Sequence, residues 1–305
     1  MHTDNRSVLL FINTSKIIPD EAIERVTDVL SSRNIIIRAF KDAEEKIDQA
    51  APFAAVDYLC DGEIPVDVAF AVVFGGDGSM IRAASRLSSY GVPLVGVNFG
   101  AVGYLAELEF CDIPLIERII DGQYEVDVRM MLDTTVTRKT GETVKTSAAL
   151  NDVVLSNGPV ANLLSFDLFC NGIRLRNFRA DGVITATATG STAYSMSAGG
   201  PVLDPSLSAV CVTPICPHDI GTRPVVLNGG SVIELKNIIK KKNSVYLSID
   251  GREVFELFDG DEVRIERSTK ITKFIRLKSN DFLGVLKNKL SRGEKHKSNG
   301  KDDRL

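Results

Sequence analysis

Val66-Asp-Val-Ala-Phe-Ala-Val-Val-Phe-Gly-Gly-Asp-Gly-Ser-Met80 sets an apolar run against three glycines and a single carboxylate. A strand apolar at nearly every position is expected in the middle of a sheet covered on both faces, which is the condition of a parallel sheet. A glycine turn leading from such a strand into a helix lies at the carboxyl edge of the sheet, where open α/β folds bind ligands. Glycine allows close backbone approach and positive φ, and the amides of the following helix can hold phosphate oxygens. Asp77 is the odd member, since a carboxylate beside phosphate is repelled unless it holds a metal or takes a proton. Near a substrate hydroxyl it becomes a general base. Taken alone, the four residues Gly75–Gly78 fit an ordinary Asp-Gly turn equally well. They form neither a Walker loop, for want of a following Lys-Ser or Lys-Thr, nor Gly-x-Gly-x-x-Gly.

The surrounding sequence repeats the strand–helix texture. Ser7–Asn13, Ile35–Phe40, Val66–Phe74 and Pro93–Asn98 read as strands. Helical apolar spacing appears at Ile23, Val26, Val29 and Leu30 and again over 79–88. This alternation predicts βαβ units in an N-terminal Rossmann-like α/β domain over residues 1–127. Beyond Asp127 short β-prone runs take over, punctuated by Asn171-Gly172, Asp250-Gly251 and Asp259-Gly260. Strands are expected over 144–156, 165–170, 231–235, 245–249 and 262–266, giving an all-β C-terminal domain over 128–268. Phe274–Lys278 and a helix over 281–290 assign 269–290 back to the first domain, and the charged tail 291–305 is expected to be disordered.

The chain has 305 residues, 44% of them hydrophobic and 25% charged, with a net charge of −4. These values suit a globular protein with a sizeable core and give no global signal for nucleic acid or a membrane surface. No apolar stretch reaches membrane-spanning length. The polar N-terminus and five cysteines without a Cys-x-x-Cys pair predict no signal peptide, reduced thiols and a cytoplasmic location. Lys240-Lys-Lys242 reads as a solvated turn. Cys211, Cys216 and His218 lie close together, but their spacing is not a usual zinc pattern.

The second unusual segment runs from Arg179 to Asp204. Between Thr185 and Ser197 it has seven Ser or Thr residues, one Tyr and no charge. Hydroxyls donate and accept, which suits ribose, amide and phosphate groups. Thr189-Gly-Ser-Thr192 could also cap a helix starting near Ala193, its N-terminus aimed at a phosphate.

Gly75-Gly-Asp-Gly78, Leu150-Asn-Asp152, Asp181-Gly182 and Thr189-Gly-Ser-Thr-Ala-Tyr-Ser-Met-Ser-Ala-Gly-Gly-Pro201 together resemble the signatures of NAD kinases, in the same order. Asn98-Phe-Gly-Ala-Val-Gly-Tyr-Leu105 and Pro214–Pro224 extend the resemblance across roughly residues 7–285. The Gly-Gly-Asp-Gly element is shared with lipid and sugar kinases of the same superfamily; the Thr-Gly-Ser-Thr-Ala-Tyr run singles out NAD kinase. Two departures stand out: Ala188 occupies a position usually held by Pro, and Arg252 one often held by Gln.

The resemblance implies a kinase that transfers the γ-phosphoryl group of ATP to the adenosine ribose 2′-hydroxyl of NAD. Asp77 would be the proton acceptor and the amides of Gly75, Gly76 and Gly78 would hold ATP phosphates bridged by Mg²⁺, with no dedicated metal residues. Arg82 would line the same pocket, and Asn151 and Asp152 would hold the adenosine. Arg179, Asp181 and the run Thr192, Ala193, Tyr194, Ser195, Met196 and Ser197 would complete the NAD site, with Asn162 and Arg252 as further ligand contacts. The family further implies a site in the cleft between the domains and a homodimer or homotetramer. The alternatives are a lipid or sugar kinase of the superfamily and a non-catalytic NAD(P) sensor.

Overall fold

The computed structural model describes residues 6–60, 62–100, 103–158, 163–219, 221–239, 245–277 and 282–287, with only the backbone of Phe178, Asn237 and Ile239. Asn162, the lysine run and the C-terminal tail lie outside these residues. The chain divides into two compact units, one of residues 1–83, 92–127 and 273–305, the other of 84–91 and 128–272.

In the first unit the chain runs β1 (Ser7–Ile12), α1 (Asp20–Ser32), β2 (Ile36–Phe40), α2 (Glu44–Ala50), β3 (Val56–Leu59), β4 (Val68–Phe74), α3 (Asp77–Leu87), β5 (Leu94–Asn98), β6 (Leu108–Glu109) and α4 (Ile116–Ile120). The strands pair in parallel in the order β5-β4-β1-β2-β3, with β6 beside β5. Read from β3 to β6, that is the 3-2-1-4-5-6 strand order of a dinucleotide-binding sheet. All six residues of β1 are buried, as the uninterrupted apolar run requires of a central strand. Helix α1 buries Ile23, Val26, Thr27 and Leu30 on one stripe and places Asp20 and Glu21 in its first turn, where the helix dipole favours negative charge. Its stripe joins Leu10, Val72 and Val95 of the sheet in one core.

The second unit contains β7 (Glu125–Thr137, most of its length), β8 (Thr143–Lys145), β9 (Asp152–Asn157), β10 (Leu164–Cys170), β11 (Ile173–Ala180), β12 (Gly182–Thr187), the single-turn helix α5 (Tyr194–Ser197), β13 (Ala209–Ile215), β14 (Val225–Asn228), β15 (Ile233–Ile239), β16 (Val245–Ile249), β17 (Glu253–Leu257) and the first part of β18 (Glu262–Arg276). Two sheets, β14-β13-β12-β9-β16-β17 and β11-β10-β15-β18, are antiparallel throughout. They share a core of alternating inward residues, among them Val153, Leu155, Phe166, Leu168, Val183, Leu235, Leu247 and Ile265. The fold is therefore an N-terminal α/β parallel-sheet domain and a C-terminal antiparallel β domain, as the sequence implies.

The differences are local. The expected strand over 144–156 is two strands, β8 and β9, joined by a stretch that keeps an isolated bridge between Ala149 and Leu132 and then turns its amides from Leu150 on to a carboxylate described below. The expected strands 262–266 and 274–278 fall on one strand, β18, which passes from the second compact unit to the first at 272/273. Its alternating burial gives way to continuous burial at Phe274–Arg276, where it pairs in parallel with β5. Asn171-Gly172 and Asp250-Gly251 turn with both φ angles positive, joining β10 to β11 and β16 to β17. Asp259-Gly260 connects strands that do not pair with each other. Residues 282–287 are helical, within the expected 281–290.

Candidate active site

In the first unit the chain leaves β4 at Gly75, whose φ of 125° is closed to residues with side chains and whose amide donates to Val97 O at 2.8 Å. The carbonyl of Gly76 accepts the amides of Ser79 and Met80, starting α3. Asp77 opens that helix, and its carboxylate is gripped from the side. Oδ2 accepts the amide of Tyr104 and Oδ1 that of Leu105, both at 2.9 Å. The approach depends on Gly103: a Cβ there would stand 2.0 Å from Asp77 Oδ1. A Cβ on Gly78, by contrast, would meet nothing within 4 Å, so that side of the loop is open to a ligand. Arg82, one turn on, donates to Asn13 Oδ1 at 3.2 Å, and Asn13 also accepts from Ser15.

The sequence singled out Asp77 but not what holds it. Within the motif Asn98–Leu105, recognised only as shared, Tyr104 and Leu105 present two amides to the carboxylate. The signal was Gly103, a glycine in no predicted turn.

In the second unit three stretches remote in sequence converge. The carboxylate of Asp250 accepts the amides of Leu150, Asn151 and Asp152 at 2.9, 2.8 and 3.0 Å. Asp250 reaches them from the positive-φ turn after β16, whereas Thr146 and Ala149 just before them still donate to Thr134 O and Leu132 O of β7. Thr187 closes the other side: its Oγ1 donates to Leu150 O at 2.6 Å and accepts the amide of Gly190 at 3.0 Å. Gly190 packs so tightly that a Cβ would stand 2.1 Å from Asn151 O. The buried Arg129 supports the same loop through Thr189 Oγ1 at 3.1 Å. Asp250 was read as a hairpin turn only, and Thr187 and Arg129 escaped notice because their partners lie tens of residues away.

Electrostatics separate the two carboxylates. Burial, then the neighbouring Asp250 charge, push the Asp152 carboxyl up to about 7. Burial also raises Asp250, but its three N–H donors and the Arg252 guanidinium, 3.9 Å away, oppose the rise. Asp152 is thus the member that keeps its proton near neutrality, able to donate as well as accept. Next to it, Asn151 Oδ1 is buried without a protein hydrogen-bond partner among the described residues. A buried acceptor left unmatched is costly and calls for a donor.

The hydroxyl run is sorted by its local structure. Thr189–Thr192 form a 3₁₀ turn, and the expected helix from Ala193 is one turn, Tyr194–Ser197, with no side-chain cap at Ala193. Tyr194, Met196 and Ser197 are exposed. Ser195 is turned fully inward, its Oγ 2.9 Å from Thr213 Oγ1, so its side chain is not offered to a ligand. Thr192 Oγ1 donates weakly to Thr189 O at 3.3 Å. Arg179 is exposed, with Nη2 3.3 Å from His218 Nδ1. Asp181 is half-buried where its backbone joins Asn157 and Ile215. Cys211 faces inward against Thr213 while Cys216 is exposed. Among the described residues no three His, Cys, Asp or Glu side chains gather as a metal site, and no helix is long and apolar enough to cross a membrane.

Residues 8–124 match the family model for the ATP-NAD kinase N-terminal domain, and residues 150–277 the model for the ATP-NAD kinase C-terminal domain. An NAD kinase of Citrifermentans bemidjiense is 41% identical over 234 residues, 76% of this chain and 81% of that protein. An NAD kinase of Natranaerobius thermophilus is 34% identical over 292 residues, 95% and 99% of the two chains. A crystal structure of yeast NADH kinase complexed with NADH superposes with a TM-score of 0.82 at 25% identity, covering 99% of this chain and 90% of that one. With both family models matched in sequence and similarity running nearly end to end, this chain belongs to the NAD kinase family.

Proposed function

We propose that the chain phosphorylates NAD to NADP with ATP, and that Asp77 is the base. The observation that carries this reading is the carboxylate of Asp77 held by two amides at the mouth of a glycine turn whose outer side is open. A base must be fixed relative to the proton it takes, and two backbone donors fix it more firmly than a side-chain partner would. In the reaction the ribose 2′-oxygen forms a bond to the γ-phosphorus as the bond to the β,γ-bridging oxygen breaks. The hydroxyl proton passes to Asp77, and ADP carries away the electron pair. The transition state is loose, so positioning and charge neutralisation carry most of the acceleration.

The amides of Gly76 and Gly78 at the start of α3 hold phosphate oxygens, with Arg82 near them. Asn151 offers its buried Oδ1 to a donor on the adenosine, and Asp152, protonated or ionised near neutrality, pairs with ribose hydroxyls. Tyr194, Met196, Ser197, Arg179 and Arg252 complete the dinucleotide contacts through exposed groups and Asp181 through a half-buried one, Thr192 and Ala193 contribute through the loop that carries them, and Asn162 is assigned by family position. Ser195 serves through its backbone and through packing. The donor set present fits a divalent cation such as Mg²⁺ borne by the ATP phosphates rather than caged by protein carboxylates; bound there, it neutralises charge on the transferring group. Exposed Ile173 and Leu175 on β11 and Val225 and Val226 on β14 support assembly into a homodimer or homotetramer, which sedimentation will test. A cytoplasmic location suits the free thiols.

The deciding experiment follows NADP formed from ATP, Mg²⁺ and NAD with an NADP-specific dehydrogenase. Asp77→Asn keeps an acceptor for the amides but takes no proton, and should lower kcat by about 10²–10⁴-fold while NAD still binds. Turnover within twofold of wild type would remove Asp77 as the base, and no NADP from the wild-type protein would remove the kinase reading altogether.

A further inference from the structure

The two amides that hold Asp77 belong to a segment that must itself be held. We propose that Arg276 is a positioning residue for Asp77, acting through the backbone of Leu105 together with Glu107 and Asp127; the inference rests on the reading of Asp77 as the base.

Arg276 is the last residue of β18, and its side chain is 8% exposed. Its guanidinium reaches three ways. Nη1 donates to Leu105 O at 3.1 Å and to Glu107 Oε2 at 3.2 Å, and Nε donates to Asp127 Oδ2 at 3.2 Å. Glu107 in turn accepts the amide of Leu277 through Oε1 at 2.9 Å, and its own amide donates to Gly96 O at 3.2 Å. Leu105 is thus clamped on both sides of its Cα: its carbonyl by Arg276, its amide by Asp77. All these residues lie in the first unit.

A guanidinium buried between two carboxylates makes a rigid fork, which an ammonium cannot reproduce. Such a cluster is weak evidence for stability, because desolvation offsets much of the attraction. What it specifies here is the position of one carbonyl. Fixing the Leu105 carbonyl fixes the plane of the Leu105–Ala106 peptide, so only the φ and ψ of Leu105 separate that anchor from the amide that holds Asp77. An arginine 171 positions along the chain thus bonds the carbonyl of the residue whose amide holds the base.

The test measures kcat and KM on active-site-titrated protein, so that loss of folded enzyme does not register. Arg276→Gln should lower kcat by about ten- to a hundredfold with KM for NAD and ATP within threefold, the split expected when a base is displaced but the ligands still bind. Arg276→Lys, which keeps the charge but loses the fork, should recover part of that kcat. If Arg276→Gln does not fold, Arg276→Met combined with Glu107→Gln and Asp127→Asn removes the unpaired charges and should show the same kcat loss. A folded variant lacking the guanidinium with kcat within twofold of wild type overturns the inference. Asp77→Asn measured alongside keeps the two failures apart: normal turnover there discards the base, whereas an inactive Asp77→Asn beside a fully active Arg276 variant discards only Arg276.

Discussion

Asp77 and Asp152 are the same side chain used in opposite ways. Asp77 sits at the start of a helix with two amides aimed at its oxygens. Asp152 has its amide bonded by another carboxylate while its own carboxyl is buried beside that neighbour's charge and pushed up to about 7. In the first unit backbone donors are spent on the carboxylate proposed as the base; in the second they are spent on Asp250, which builds the loop carrying Asn151 and Asp152. The lesson is that a carboxylate's surroundings, and not its identity, decide whether it acts as a fixed acceptor or as a group poised to titrate.

The comparison breaks first at Gly103. Placing a methyl group 2.0 Å from Asp77 Oδ1 forces either the carboxylate or the 103–105 backbone to move. Gly103→Ala should therefore cost kcat on the order of a hundredfold, since small displacements of reacting groups are that expensive. Dinucleotide binding, assigned to second-unit residues, should change little, which titration calorimetry with NAD can follow. A Gly103→Ala enzyme with normal kcat would mean that the amide grip does not matter to the chemistry.

Asp152 gives a smaller effect, read in stability. Its folded pKa is raised above the unfolded value, so the associated stability is fully present at low pH, below the unfolded carboxyl pKa, and is lost as pH rises through about 7. Asp152→Asn removes that titration without changing shape. Its melting temperature should exceed that of wild type at pH 8, and the gap should close as the pH falls from 7 toward 4. The Asp250 contribution runs in the same direction, and because the two carboxyls interact the difference reports Asp152 together with its coupling to Asp250. Parallel melting curves across that range would show that Asp152 is not held protonated by its surroundings.

Both the fold class and the glycine turn that carries Asp77 were legible because they depend on local pattern. The apolar run Val68–Phe74, the stripe of α1 and the turn pairs Asn171-Gly172 and Asp250-Gly251 are each set by residues within one or two turns of chain. The failures came where a distant group intervened. The strand expected over 144–156 is apolar enough to be one strand, yet Asp250, about a hundred positions away, withdraws three amides from the ladder. Conversely, polar Arg267–Lys273 read as a gap, but the strand runs on through it: burial shifts phase after Ile265 and resumes at Ser268 and Thr272, polar residues that no apolar alternation marks. The support of Asp77 by Tyr104 and Leu105, and of Leu105 by Arg276, is carried by backbone atoms and a long-range ion cluster that no spacing rule reports.

Ser195 offers the finest division within one motif. Composition could not distinguish its hydroxyl from that of Ser197 two positions on, but a single helical turn points them to different environments. Ser195 is sealed against Thr213, and Gly200 lies so close that a Cβ there would stand 2.4 Å from Ser195 Oγ; Tyr194 and Met196 on either side face out. Removing the Ser195 hydroxyl forfeits one buried hydrogen bond, and Thr213 Oγ1 keeps a contact with Cys211 Sγ at 3.3 Å. Ser195→Ala should then cost about 1 kcal/mol of stability, or about 2–4 °C in melting temperature, with KM for NAD unchanged. Tyr194→Ala should do the reverse, raising KM while leaving the melting temperature in place, because an exposed ring contributes little until a ligand covers it. A Ser195→Ala protein that melts normally but binds NAD poorly would return this hydroxyl to the ligand and erase the distinction between the inner and outer faces of the turn.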